Sequence, residues 1–109
     1  MMFKIEHYTY RITWSPADGE FVGLVAEFPS LSWLAPTQML ALEGIQKCVT
    51  GVVKDLKRSG ETIPRPLADR EYSGEFKVRI PSQIHRALVI EAAEENVSLN
   101  RLVSSKLAR

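Results

Sequence analysis

Three charged side chains, Glu75, Lys77 and Arg79, stand at alternate positions in the run Glu75-Phe76-Lys77-Val78-Arg79-Ile80. Successive side chains of an extended segment point to opposite faces. The three therefore form one hydrogen-bonding row, an acceptor followed by two donors, and Phe76, Val78 and Ile80 form an apolar row behind it. Groups suited to catalysis are not gathered in this way. Metal-assisted hydrolysis needs several carboxylates converging on the ions, and the N-terminal candidates are Asp18 at a turn and Glu20 and Glu27 at the two ends of one strand. Strand rise separates Glu20 from Glu27 by roughly 23 Å, too far to share a metal. His7 and His85 have no metal-ligand or catalytic partner at useful spacing, and no serine lies in a nucleophile-elbow pattern. The expectation is a protein that is not an enzyme, with no catalytic residue, no metal and no cofactor. Cys48 is the single cysteine, so no disulfide can close within one chain. It reads as a small buried hydrophobe on a helix face, in a reducing compartment.

The elements that must position the charged row follow it directly. Pro81 stops the strand. Ile84, Ala87, Leu88 and Ala92 then set out one amphipathic helix, and Leu99, Leu102, Val103 and Leu107 a second. Between them Asn96 tolerates the left-handed conformation of a helix stop, and Ser98 is a good N-cap. A lone strand cannot satisfy its own backbone hydrogen bonds, and two short helices cannot bury this much apolar surface. Pairing with a second copy answers both needs, with Phe76, Val78, Ile80, Ile84, Leu88, Leu99, Leu102 and Val103 as the expected dimer core.

Upstream, Tyr8, Tyr10, Ile12 and Trp14 share one face of a strand over 8–15, which needs a cover. Pro16-Ala17-Asp18-Gly19 is a turn signal, and the chain returns over 20–27 as the second half of an antiparallel hairpin. Ser32-Trp33-Leu34-Ala35 is a short third strand. Thr37 is a helix N-cap; Leu42, Ile45, Val49, Val52 and Leu56 recur at steps of three and four to a stop near Ser59-Gly60. Gly44 and Gly51 would allow this helix to approach the sheet closely. Its outer face, with Lys47, Lys54, Lys57 and Arg58, is interrupted by Glu43 and Asp55 and reads as solvated. A connector with Pro64 and Pro66 at its start and Gly74 at its end then separates two units.

With 45% hydrophobic and 25% charged residues, the 109-residue chain has ordinary globular composition, but each unit is small enough to need a partner for stability. Net charge is +1. From Gly74 onward six basic residues face four acidic ones, while the first 73 residues carry eight basic and nine acidic. This slight asymmetry permits nucleic-acid binding at the C-terminal end. The run Met1 to His7 is too short and polar for a signal peptide or a membrane span, so the expected location is cytoplasmic, without a membrane partner.

The order strand, proline, helix, short turn, helix over 74–109 resembles the Arc-type ribbon-helix-helix family, in which two chains pair their strands into a ribbon that enters the DNA major groove. That resemblance implies a homodimer on double-stranded operator DNA, with base readout by Glu75, Lys77 and Arg79. Their chemistry suits it: Lys and Arg donate to guanine O6 and N7, and Glu accepts from cytosine N4. It also implies phosphate contacts at Ser98, Leu99 and Asn100, where helix-opening N–H groups meet the DNA backbone.

The whole chain is similar to the HicB family of antitoxins whose C-terminal domain is ribbon-helix-helix. Two stretches carry the likeness: Asp18-Gly19-Glu20-Phe21-Val22-Gly23-Leu24-Val25-Ala26-Glu27-Phe28-Pro29 with Thr37 opening the helix, and Val78-Arg79-Ile80-Pro81 through Leu88 with Val97-Ser98-Leu99-Asn100-Arg101-Leu102-Val103. The likeness implies an α+β protein. Residues 1–64 would form a truncated RNase H-like, toxin-binding domain, a small antiparallel sheet covered by one helix. Residues 65–73 would be a linker, and 74–109 the DNA-binding and dimerisation module. It further implies an mRNA-cleaving HicA-type toxin as partner and repression of the protein's own operon. The chain departs from many members around Thr37, where Ala35-Pro36 precede and Leu40-Ala41 follow in place of Gly-Asp and Glu-Ala. Without Glu at position 40 the reciprocal capping box is missing. A free-standing regulator without a toxin is the alternative, and a module that only dimerises is a third reading. A tetramer would follow if the sheet edge and Trp33 of the first unit made a second contact.

Overall fold

The computed structural model describes residues 4–109, so Met1–Phe3, the start of the first expected domain, lie outside the described residues. The chain is α+β and divides into two compact units, Met1–Tyr72 and Ser73–Arg109.

In the first unit, alternation of apolar and polar residues yields three strands, β1 (Tyr10–Ser15), β2 (Glu20–Val25) and β3 (Ser32–Ala35), antiparallel in the order β1-β2-β3. The β1–β2 turn closes by Asp18 and Gly19 N–H donating to the Ser15 carbonyl, with Gly19 at φ +62°. The long helix α1 (Gln38–Arg58) follows, and the Thr37 hydroxyl accepts from Leu40 N–H at 3.1 Å. It ends where Gly60 takes φ +72° and Glu61 N–H donates back to the Leu56 carbonyl, satisfying an otherwise orphaned acceptor. Ala41, Ile45, Val49 and Val53, four apart, form the stripe that α1 buries. Leu42, Val52 and Leu56, expected on that stripe, flank it half-buried. Tyr8, Val25 and Phe28 complete the core, with Tyr8 edge-on to Phe28 at 5.2 Å. Trp14 is less covered than its place in the alternation implies: it is 51% exposed and packs edge-on to Phe21 across the hairpin.

Glycine sets how closely helix and sheet approach, though not at both expected positions. A Cβ at Gly44 would fall within the Trp33 ring, and one at Gly23 would lie 2.7 Å from the Ala41 carbonyl oxygen. Gly51, expected to serve the same purpose, has nothing near its missing side chain. Gly23→Ala is therefore expected to destabilise the unit by about 1–3 kcal/mol through overpacking against backbone. Gly51→Ala is expected to stabilise it by about 0.5–1 kcal/mol, because an exposed mid-helix glycine gains nothing from its freedom. Chemical denaturation of the two variants checks both signs.

The first half of the expected linker is not a free tether. Pro66 is buried, and Leu67–Asp69 form a turn of 3-10 helix against the first unit. Tyr8 Oη donates to the Pro64 carbonyl at 2.7 Å, Leu67 N–H to Glu27 Oε2 at 2.9 Å, and His7 Nδ1 lies 3.0 Å from Asp69 Oδ1. Glu27 also accepts from the Thr9 N–H and hydroxyl, so one carboxylate ties strand start to connector. Burial alone would raise the Glu27 carboxyl, but the hydrogen bonds from Leu67 and Thr9 hold it below its ordinary 4.5. Burial, with the Glu27 charge nearby, also pushes the Tyr10 hydroxyl up to about 12. A lowered carboxylate contributes stability that is present above pH 4.5 and lost as pH falls through the lower folded value. The first unit is thus expected to melt at falling temperature as pH drops below that range, and Glu27→Gln to melt lower at neutral pH with a flatter acid dependence.

The second unit has two helices, α2 (Ser82–Glu94) and α3 (Leu99–Leu107). Pro81 begins the first by accepting from Ile84 and His85 N–H. Between the helices Asn96 takes φ +57°, and Val97 N–H donates to the Ala92 carbonyl at 3.0 Å. Ser98 caps α3 by accepting from Arg101 N–H at 3.1 Å. Ala92 and Leu102 are the buried residues of this unit, and Lys106 bridges to Glu91 at 3.0 Å. Lys106, hydrogen-bonded to the Glu91 carboxylate, lowers its pKa.

Candidate nucleic-acid interface

Residues 75–80 form no hydrogen-bonded strand within one chain, the first difference from expectation in this unit. Their backbone groups make no hydrogen bond with other backbone, and the Glu75 N–H alone is engaged, donating to Ser73 Oγ at 3.1 Å. Every residue from Glu71 to Ser82 is exposed. Phe76 is 74% and Val78 63% exposed, which no apolar row tolerates without cost when it is left in water. Of the eight residues expected to form a dimer core, Leu102 is the one buried within a single chain; Leu88, Leu99 and Val103 are half-buried, and Phe76, Val78, Ile80 and Ile84 are exposed. An unpaired row of amides beside an exposed apolar row is the surface an extended chain offers to another strand.

Glu75, Lys77 and Arg79 are exposed, and none of them forms an ion pair among the described residues. At the start of α3 the Ser98 carbonyl accepts from Leu102 N–H and its hydroxyl from Arg101 N–H. The preceding N–H groups, on Leu99 and Asn100, are those a helix leaves unsatisfied, and they carry the positive end of its dipole. Ser98 and Asn100 are exposed and Leu99 half-buried. The charged row and the helix opening thus occupy the same unit, 19 residues apart in sequence between Arg79 and Ser98.

His85 lies exposed on α2 beside Arg86, and the exposed His7, without a metal-ligand or catalytic partner at local spacing, meets Asp69 across a sequence separation of 62 residues. No local spacing could have announced that pair. Among the described residues no group of three or more His, Cys, Asp or Glu side chains is arranged to hold a metal ion. Cys48 is a free thiol packed at the edge of the core. No described helix is long and apolar enough to cross a membrane.

The C-terminal unit of this α+β chain thus presents an exposed, alternating extended run without backbone partners ahead of two short helices, the second capped by Ser98. Residues 58–107 match the model of the HicB family, an antitoxin family. The match takes in the last residue of α1, the connector, the extended run and both short helices. Neither the curated proteins nor the solved structures yielded a match.

Proposed function

We propose that this protein is an antitoxin of the HicA/HicB type that represses its own operon. The observation that carries the reading is the run 75–80: its backbone is unpaired, its apolar row lies in water, and it sits inside the stretch similar to the HicB family. Two chains join these runs into an antiparallel ribbon and bury Phe76, Val78 and Ile80 against the helices. The ribbon's outer row enters the major groove of operator DNA, where Lys77 and Arg79 donate to guanine and Glu75 accepts from cytosine. Ser98, Leu99 and Asn100 hold the flanking phosphates. The first unit, a truncated RNase H-like fold on this reading, masks an mRNA-cleaving toxin in the cytoplasm.

The test is fluorescence anisotropy with DNA from upstream of the gene beside a scrambled duplex, at two salt concentrations. Tighter binding to the native DNA that weakens steeply with salt, as counterion release requires, supports the repressor. Equal binding to both duplexes, or none, overturns it. A second reading, a regulator without a toxin, is favoured by one fact: the family match begins at residue 58 and leaves most of the first unit outside it. Co-purification of a small ribonuclease encoded beside the gene would decide against that reading.

A further inference from the structure

On α1, Lys47, Gly51, Lys54 and Arg58 recur at steps of four, three and four, so all lie within about 40° of the direction of Lys47. They are exposed, on the side roughly opposite the buried Ile45 and Val49, and form a line about 16 Å long. Neither Lys47 nor Lys54 forms an ion pair among the described residues, and Arg58 meets Asp55 only at 4.0 Å. The acidic residues that interrupt this face in sequence leave the line itself clear. Glu43 lies one turn beyond Lys47, and Asp55 about 80° to one side. At Gly51 nothing stands within 4 Å of the missing side chain, so a partner can approach the helix backbone between the cations.

The connector keeps this row close to whatever the second unit binds. Its first part is held on the first unit, by Tyr8 Oη donating to the Pro64 carbonyl and Leu67 N–H to Glu27. Residues 70–74 remain as the tether, and five residues span at most roughly 17 Å. With the run 75–80 on DNA, a tether this short holds the first unit beside the same duplex at an effective concentration on the order of millimolar, where individually weak charge contacts count. One DNA strand carries a phosphate about every 3.4 Å of axis, so the row is long enough to face about five of them.

We propose that the Lys47–Lys54–Arg58 row of α1 is a second DNA-contacting surface, which grips phosphates flanking the site that the extended run reads. It rests on the DNA-binding reading given under Proposed function and adds affinity without sequence discrimination, because phosphate contacts carry no base information.

Fluorescence anisotropy of the full chain tests it, on operator and scrambled duplexes and on an operator trimmed of its flanking base pairs. Lys47→Gln combined with Lys54→Gln is expected to weaken binding to the operator and scrambled duplexes by the same factor. Its salt slope is expected to fall by about 2 for each contacting chain, so that a fourfold rise in salt costs it about 16-fold less affinity per chain than wild type. Flanking base pairs are expected to tighten wild type and to leave the double variant unchanged. Lys4→Gln combined with Arg11→Gln removes the same charge from exposed positions outside α1 and is expected to keep the wild-type slope. A wild-type slope in the Lys47 and Lys54 variant, or an equal fall in the Lys4 and Arg11 variant, overturns the α1 contact, and the repressor then stands on operator discrimination alone. If wild type binds both duplexes equally and only the Lys47 and Lys54 variant loses slope, the α1 contact stands and the repressor reading fails.

Discussion

Replacing Lys77 and Arg79 together by alanine is expected to leave the chains paired and to abolish most discrimination between operator and scrambled DNA. Both side chains are exposed and neither forms an ion pair among the described residues, so their loss removes no contact that holds the unit together. A base-reading arginine is worth roughly 1–3 kcal/mol, or about 5- to 150-fold in affinity, and loss of the neighbouring lysine adds to this. Anisotropy on the native duplex reads the affinity, and sedimentation confirms the unchanged mass. Operator binding as tight as wild type in the double variant would falsify the assignment of this row to the groove.

Leu102→Asp is expected to do the reverse, removing DNA binding by dissolving the unit that presents it. Leu102 is 6% exposed, and with Ala92 it makes up the buried part of the second unit. An aspartate there is a buried charge without a partner, which costs about 3–5 kcal/mol and exceeds what so small a core can offset. Far-ultraviolet ellipticity is expected to fall by the share of α2 and α3 while the first unit stays folded. A variant that keeps both its helices and its mass would show that Leu102 is not the centre of this core.

The local signals in the sequence were sufficient for most of the architecture, because caps and turns act within a few residues. Thr37, Gly19, Asn96 and Ser98 each do what their chemistry predicts at the expected place. The three strands and α1 follow from alternation and from the three-and-four spacing. Legibility ended where partners are distant in the chain. Glu27, weighed as a metal ligand, is a hydrogen-bond hub for Thr9 and Leu67, and His7 finds Asp69; both links depend on how the connector folds back. Gly51 and Gly44 looked equivalent by helical position, but Trp33 reaches Gly44 and nothing approaches Gly51. On α1 the spacing points to Leu42 and Val52, whereas the structure buries the neighbouring Ala41 and Val53, because only the position of the sheet decides which of two adjacent apolar residues is covered. For the extended run the limit is of another kind. A strand is defined by its partner, and residues 75–80 acquire one only from a second chain under the proposed pairing.

Both tryptophans, Trp14 and Trp33, belong to the first unit, and the second has Phe76 as its one aromatic residue. The molecule therefore carries an optical label on one half and none on the other. Indole emission follows the melting of the sheet and α1 and is blind to α2 and α3, whereas ellipticity records all three helices. Heat unfolding followed by the two signals is expected to give two midpoints, so a single unfolding free energy does not describe this protein. If the second unit pairs as proposed, dilution is expected to separate them further: the helical transition of that unit moves to lower temperature by mass action as its partner is lost, and the emission midpoint does not follow it.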